Sequence, residues 1–353
     1  PWPKLNIPNL IQIESMVNNP GKAIGLDVLG NVHFLSSKHT NENSIIIQSN
    51  IKPLLKIPNQ EEEEEDQRQT KKNTLLSTKV GVIGNYPKDD DDKTTGVITC
   101  SSDSCSWYTC NIDTAKCTLD IEVEYPYTAL EINVFTTDYH GFVYLGINNN
   151  FLFCLKPNKD FGYLKFGSQV VGNFTSIAIY TDHGNNDTNN ILPSTIAVST
   201  DLAVYYGLKQ LAYDTYEFTF HVLVGEDIDF RPTSVAFVRD NNQEKSDEST
   251  LEIWVGHKYC INIIQADHSV LRISGRQGLP IGNITQLSSS NDYNSLWIAS
   301  KQGLVLYCKS CADVWRYFGG DRYTVSNFTV ETIGSSRFSK LLSLFSNLLI
   351  LSS

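Results

Sequence analysis

The sequence predicts an all-β chain, a β-propeller of seven blades in which each blade is a four-stranded antiparallel sheet and the N-terminal strand closes the ring. Three observations predict it. The composition is stocked with strand formers, 17 Tyr and 16 Phe against a single Met. Short apolar runs alternate with turn residues, as in Leu296-Trp297-Ile298-Ala299-Ser300 followed by Gly303-Leu304-Val305-Leu306-Tyr307. Finally, groups of such runs return at a mean spacing of about 50 residues, the range of propeller blades.

In chain order, residues 4–14 offer a short strand, with Pro8 suited to a sheet edge because it cannot donate to a ladder. Lys22 to Phe34 reads strand, tight turn, strand. Ile132 to Leu145 repeats its pattern, since both carry Asp-x-x-Gly (Asp27 and Gly30, Asp138 and Gly141) two residues ahead of a valine. By that match His33 and Tyr144 hold equivalent strand positions. Further strands are expected at 175–179, 195–199 and 202–206, then at 233–237, 251–256 and 259–263, then at 283–287, 296–300, 301–307 and 314–317. Units therefore begin near residues 19, 73, 127, 172, 230, 283 and 326. The last of them, Phe328–Ile333 and Asn347–Ser352, lacks outer strands, and the strand at 4–14 would supply one. The whole chain, 1–353, is expected to be one domain with acidic loop inserts at 61–73 and 86–95 and a Cys-rich insert at 100–117. Asp240–Thr250 is a further polar loop.

A 353-residue chain with 41% hydrophobic and 19% charged residues is globular and too long for one small core. Its net charge of −11 excludes a nucleic-acid binder, although much of that charge lies in Glu61–Asp66 and Asp89–Asp92. The eight cysteines (Cys100, Cys105, Cys110, Cys117, Cys154, Cys260, Cys308 and Cys311) are an even number. The first four are too irregularly spaced for a zinc knot and lack a nearby histidine, so disulfides are expected. Cys308 and Cys311 form a CxxC that follows a strand and opens no helix, which favours a local bridge over redox chemistry. Asn173, Asn186, Asn283 and Asn327 each begin an Asn-x-Ser/Thr sequon for N-glycosylation. The tail Leu341–Leu351 is apolar but about half the length of a membrane span. Pro1-Trp2-Pro3 reads as a mature or trimmed start. Together these features predict a secreted or extracellular protein.

The run from Gly278 through Asn283-Ile284-Thr285-Gln286-Leu287 to Leu296-Trp297-Ile298-Ala299-Ser300 and Gly303-Leu304 resembles the two-component-regulator propeller repeat. Leu251-Glu252-Ile253-Trp254-Val255-Gly256 is a weaker match, and Ala299 stands where that repeat has glycine. The resemblance implies propeller blades of the kind that serve as extracytoplasmic ligand-sensing platforms, and it carries no functional residue with it.

Chemistry is sparse. The seven histidines form no metal or catalytic motif, and no nucleophile elbow, phosphate loop or cofactor motif is present. His183 and His257 lie near strand ends, where a propeller presents its face. Asp182, Asp201 and Asp292 would line the channel mouth of a propeller enzyme. Trp254 and Trp297 occupy matching strand positions and are expected between blades. Trp315, Arg316, Tyr317, Arg322 and Tyr323 concentrate aromatics and arginines as interaction hot spots do. The expected function is a disulfide-containing binding protein with a protein or glycan ligand and no membrane span. The alternatives are a propeller hydrolase or lyase acting on glycans, and the ectodomain of a larger receptor.

Overall fold

The computed structural model describes residues 10–15, 22–27, 29–39, 45–49, 55–56, 79–83, 94–101, 103–114, 116–125, 131–138, 141–148, 151–155, 161–163, 172–180, 195–212, 215–218, 221–224, 231–240, 250–279, 282–290, 293–308, 311 and 314–318. These fall in two compact units, which divide between Tyr163 and Leu164. All described sheets are antiparallel and built on a meander of sequential strands, and the described helical structure is a 3-10 turn, Gly275–Gln277.

The first unit holds three sheets. In the first, β1 (Leu10–Ser15), β2 (Lys22–Asp27), β3 (Asn31–His39) and β4 (Ile45–Ser49) follow in order, and β5 (Leu55–Lys56) pairs the start of β3. The second is β6 (Lys79–Ile83), β7 (Thr94–Cys100), β8 (Ser104–Asn111) and β9 (Lys116–Glu124). The third is β10 (Ile132–Thr137), β11 (Val143–Ile147), β12 (Phe151–Leu155) and β13 (Phe161–Tyr163).

The second unit repeats the plan. Its first sheet is β14 (Phe174–Tyr180), β15 (Thr195–Thr200) and β16 (Ala203–Ala212), with β17 (Thr215–Phe218) and β18 (His221–Val224) sharing the outer edge of β16. Next come β19 (Pro232–Asp240), β20 (Thr250–His257), β21 (Cys260–Ile264) and β22 (Val270–Ser274). The last described sheet is β23 (Ile284–Ser289), β24 (Ser295–Ser300), β25 (Gly303–Cys308) and β26 (Trp315–Phe318).

The middle strands are apolar without alternation because both faces are covered. β11 (Val-Tyr-Leu-Gly-Ile) and β24 (Ser-Leu-Trp-Ile-Ala-Ser) are buried along their whole length, whereas the outer strand β22 is largely exposed. Each core cluster lies between consecutive sheets. Ile24, Leu26 and Val32 meet Val97 in the first unit, and Ile98 and Trp107 meet Val143, Leu145 and Phe153. In the second unit Trp254, Ile261 and Ile263 meet Leu287, Leu296 and Ile298. The first strands of successive sheets adjoin one another, β6 touching β1 and β10, and β19 touching β14 and β23.

These first strands share a device. Every one except β6 shifts register at its second residue, so that Ile11, Asn133, Thr175, Thr233 and Thr285 are bulged out of the pairing. In three of them the next side chain reaches toward the neighbouring first strand. Gln12 donates to the Val80 carbonyl at 2.7 Å and accepts the Val80 N–H at 3.0 Å, completing a backbone-like pair between β1 and β6. Ser176 and Ser234 meet at 3.2 Å, and Ser234 accepts the Leu287 N–H at 3.0 Å, stitching β14, β19 and β23.

Three expectations change. The N-terminal strand pairs β2, so the first sheet begins at Leu10 and not near residue 19; its closing role toward residues 326–353 lies outside the described residues. The Cys-rich stretch 100–117 is no insert but the body of the second sheet. The Asp27 and Asp138 hairpins, although alike, are out of phase, since one joins second to third strands and the other first to second. His33 and Tyr144 are therefore not equivalent in the repeat. The acidic inserts at 61–73 and, up to Lys93, at 86–95 also lie outside the described residues.

Candidate functional site

In an antiparallel four-strand meander the start of the first strand, the hairpin between second and third strands, and the end of the fourth strand share one end. At this end a short exchange fixes the turn leading into three of the first strands, β10, β14 and β23. The Asp201 N–H donates to the Asn173 carbonyl at 2.9 Å, while the Asp201 carboxylate accepts the Asn173 N–H at 2.8 Å and its side-chain amide at 3.2 Å. Asn148 does the same for Glu131, donating its N–H to the Glu131 carbonyl and accepting the Glu131 N–H on Oδ1. In the last sheet the Lys301 N–H donates to the Asn283 carbonyl, and the Asn283 N–H to the Lys258 carbonyl of the preceding sheet. Asn283 has a φ of 51°, a left-handed value that asparagine tolerates better than most residues.

The hairpins projecting here in the second unit are Asp201-Leu202, Lys258-Tyr259 and Lys301-Gln302. Two of the tips are large and apolar, with Leu202 38% and Tyr259 50% exposed. The Lys258 ammonium lies 4.8 Å from the centre of the Tyr259 ring. Gly282 lies beside the same ring and donates its N–H to the Gln302 side chain at 2.8 Å, and Tyr317 donates its hydroxyl to the Gln302 carbonyl at 2.8 Å. Arg231, Lys258, Arg276 and Lys301 are all exposed at this end. Tyr259 is thus an exposed aromatic with Lys258 and Gly282 against its ring, at a sheet end that carries three further exposed cations. That is the composition of a protein recognition patch.

The corresponding hairpin of the first sheet carries Leu29, 63% exposed, above a turn organised by Asp27. One Asp27 oxygen accepts the N–H groups of Leu29 and Asn31, and the other takes the Asn31 amide and meets His33 Nε2 at 2.8 Å. Burial pushes the Asp27 carboxyl up, but the hydrogen bonds from His33, Asn31 and Leu29 outweigh it and hold the carboxyl below its ordinary value of 3.8. A depressed folded value means the stabilisation is complete above the unfolded carboxylate's pKa and fades as the pH falls through the lower folded one. The stability gap between the wild type and Asp27→Asn, measured by chemical denaturation, should therefore narrow on acidification below about pH 4. A gap that is constant with pH would exclude the ionised carboxylate as its source.

The sequence-predicted cysteines divide. Cys100–Cys105, Cys110–Cys117 and Cys308–Cys311 are disulfides, the first two joining residues directly opposed across the β7–β8 and β8–β9 ladders. Cys154 and Cys260, expected in bridges, are buried thiols outside them. They lie on β12 and β21 of different sheets, and an even cysteine count could not reveal that. Burial pushes the Cys260 thiol up, against the opposing influence of Arg272, and so disfavours the reactive thiolate. Loop-closure entropy predicts that Cys110→Ser/Cys117→Ser costs about 2 kcal/mol. A lowered denaturation midpoint would show it, and an unchanged midpoint would mean the staple contributes nothing.

The remaining candidates are mostly structural. His257, expected at an exposed face, is buried with Nε2 3.0 Å from the Asn262 side chain. Asp201, a candidate channel carboxylate, is committed to Asn173. Trp254 and Trp297 are buried. Trp315 packs against Tyr307 with tilted rings 4.9 Å apart at the edge of the core, leaving Arg316 and Tyr317 exposed. Of the four sequons, Asn173 is exposed and Asn283 half-buried. Asn186, Asn327, Asp182, Asp292, His183, Arg322 and Tyr323 lie outside the described residues. Among the described residues no group of three His, Cys, Asp or Glu could hold a metal, and no helix is long and apolar enough to cross a membrane. Sequence reasoning missed the Tyr259 tip. Its signal was a repeated one, a non-turn residue at the same hairpin apex as Leu29 and Leu202.

Comparison with known protein families finds no matching family model, and comparison with curated proteins finds no matching sequence.

Proposed function

We propose that the chain is a secreted β-propeller that acts by binding a protein partner, with the lead-in end of the second unit as its recognition face. The observation that carries this reading is Tyr259, half exposed at a hairpin tip with the Lys258 ammonium over its ring and Gly282 beside it, on a sheet end that also presents exposed Arg231, Arg276 and Lys301. A rigid aromatic loses little freedom on binding, which is why such residues anchor interfaces. Three disulfides support an oxidising compartment. The seven-blade count gains support from the lead-in signature, because Asn327-Phe328-Thr329 repeats Asn173-Phe174-Thr175 and Asn283-Ile284-Thr285 and would open a seventh sheet. The resemblance to two-component-regulator repeats fits a ligand-sensing propeller of this kind.

The test is a screen of the folded, immobilised protein against an array of extracellular protein domains and a glycan array. A protein hit should lose at least about tenfold in affinity with Tyr259→Ala, the loss typical of a hot-spot aromatic. Undiminished binding by that variant would remove the face from the proposal. Turnover of a glycan on the array, without protein binding, would replace binding with catalysis.

A further inference from the structure

We infer that Asn173 carries an N-linked glycan that covers the Leu202 tip, whereas the sequon at Asn283 is a by-product of the lead-in turn and stays unmodified. The inference rests on the secreted reading above. Both sequons arise from the same repeat position, with an asparagine just before the first strand and a threonine at its bulge. Their surroundings differ. Asn173 is exposed, and its side-chain amide gives one hydrogen to Asp201. The amide nitrogen has a second hydrogen. Glycosylation replaces that one: the nitrogen attacks C1 of a sugar carried on a lipid diphosphate, the diphosphate leaves with its bonding pair, and one proton is released. The remaining N–H keeps its bond to Asp201, so the turn survives the modification.

Asn283 is half-buried, left-handed, and tied through its backbone to Lys258 on one side and Lys301 on the other. Its asparagine is accounted for by the backbone conformation, and a sugar there would stand against the two lysine-bearing tips. At Asn173 the sugar has a use. A side chain on the adjoining Gly172 would touch Leu202 Cγ at 3.1 Å, so Leu202 lies over the residue next to the sugar attachment point. A glycan starting there screens an exposed leucine from solvent and leaves Tyr259 as the accessible anchor.

The chain is produced behind a secretory leader in mammalian cells, and the secreted fraction is deglycosylated enzymatically in ¹⁸O water and mapped by mass spectrometry. Labelled aspartate is expected at position 173 and unmodified asparagine at 283. Thr175→Ala, which destroys the sequon but keeps Asn173, should lose the mass of one glycan and bind more of a hydrophobic dye, and Leu202→Ser in that background should reverse the dye binding. Thr175→Ser should keep the glycan, and Thr285→Ala should leave the mass unchanged apart from the substitution. A secreted chain bare at Asn173, or one that loses a glycan with Thr285→Ala, overturns the site assignment while leaving secretion intact. Retention in the cell with every sequon bare overturns the secreted reading and this inference with it.

Discussion

Trp254→Ala is expected to cost about 3–5 kcal/mol of stability, the range for truncating a fully buried large aromatic. Trp254 is 1% exposed, stands between the sheets β19–β22 and β23–β26, and packs against Tyr307 in a tilted contact with ring centres 4.6 Å apart. Tyr307 packs in turn against Trp315, again with tilted rings, so one indole supports an aromatic row that reaches the outer strand β26. Its ring nitrogen also donates to buried Glu252 at 3.0 Å, and alanine would strand that carboxylate. The loss should appear in chemical denaturation of the full chain, with Trp254→Phe costing less because it keeps most of the apolar contact. A cost below about 1 kcal/mol, the scale of a surface change, would contradict the sheet-to-sheet core drawn above.

That residue also marks how far the sequence was legible. Trp254 and Trp297 were readable as buried because each sits mid-strand in an apolar run with no turn residue beside it, and strand geometry leaves such a side chain no exit. In the second unit the first three strands of each sheet were legible from their apolar runs, whereas the outer strands β17, β18 and β22 were not, β22 because its residues are largely exposed and carry little apolar pattern. The first unit was misphased for a physical reason. Asp27 and Asp138 make the same Asx-type turn, with Gly30 and Gly141 at φ values of 80° and 82°, and this chemistry serves any tight hairpin whichever strands it joins. Local turn residues report the presence of a hairpin and carry no information about its place in a sheet. The contacts that do define place are long-range, such as Gln12 with Val80 or Ser176 with Ser234, and no spacing rule brings residues 58 or 68 positions apart together. The His33–Asp27 pair escaped for a related reason, because a separation of six becomes a contact only once the β2–β3 hairpin is formed. The CxxC was legible as a local bridge, while Cys154 and Cys260 were drawn into disulfides by counting alone.

Gly81→Ala is expected to cost about 1–3 kcal/mol by overpacking the first-strand layer of the first unit. Among the described first strands β6 alone has no bulge, and it lies between β1 and β10. On one side Gln12 completes a backbone-like pair with Val80, which fixes the strand in place. On the other, a methyl group added at Gly81 would come 2.7 Å from Thr137 Cγ2 and 3.0 Å from Phe135 Cζ, both on β10. The strand cannot retreat from β10 without stretching the Gln12 pair, so the added carbon must displace Thr137 or Phe135. Thr137→Ser removes the nearer of the two obstructing atoms and keeps the hydroxyl. The double variant Gly81→Ala/Thr137→Ser should therefore recover a large part of the loss, a positive coupling readable from denaturation midpoints of the two singles and the double. Additive losses would mean that the glycine is not there to admit β10. With coupling, the absent bulge in β6 has its explanation, since a strand that admits its neighbour through a missing side chain does not need to turn one outward to reach it.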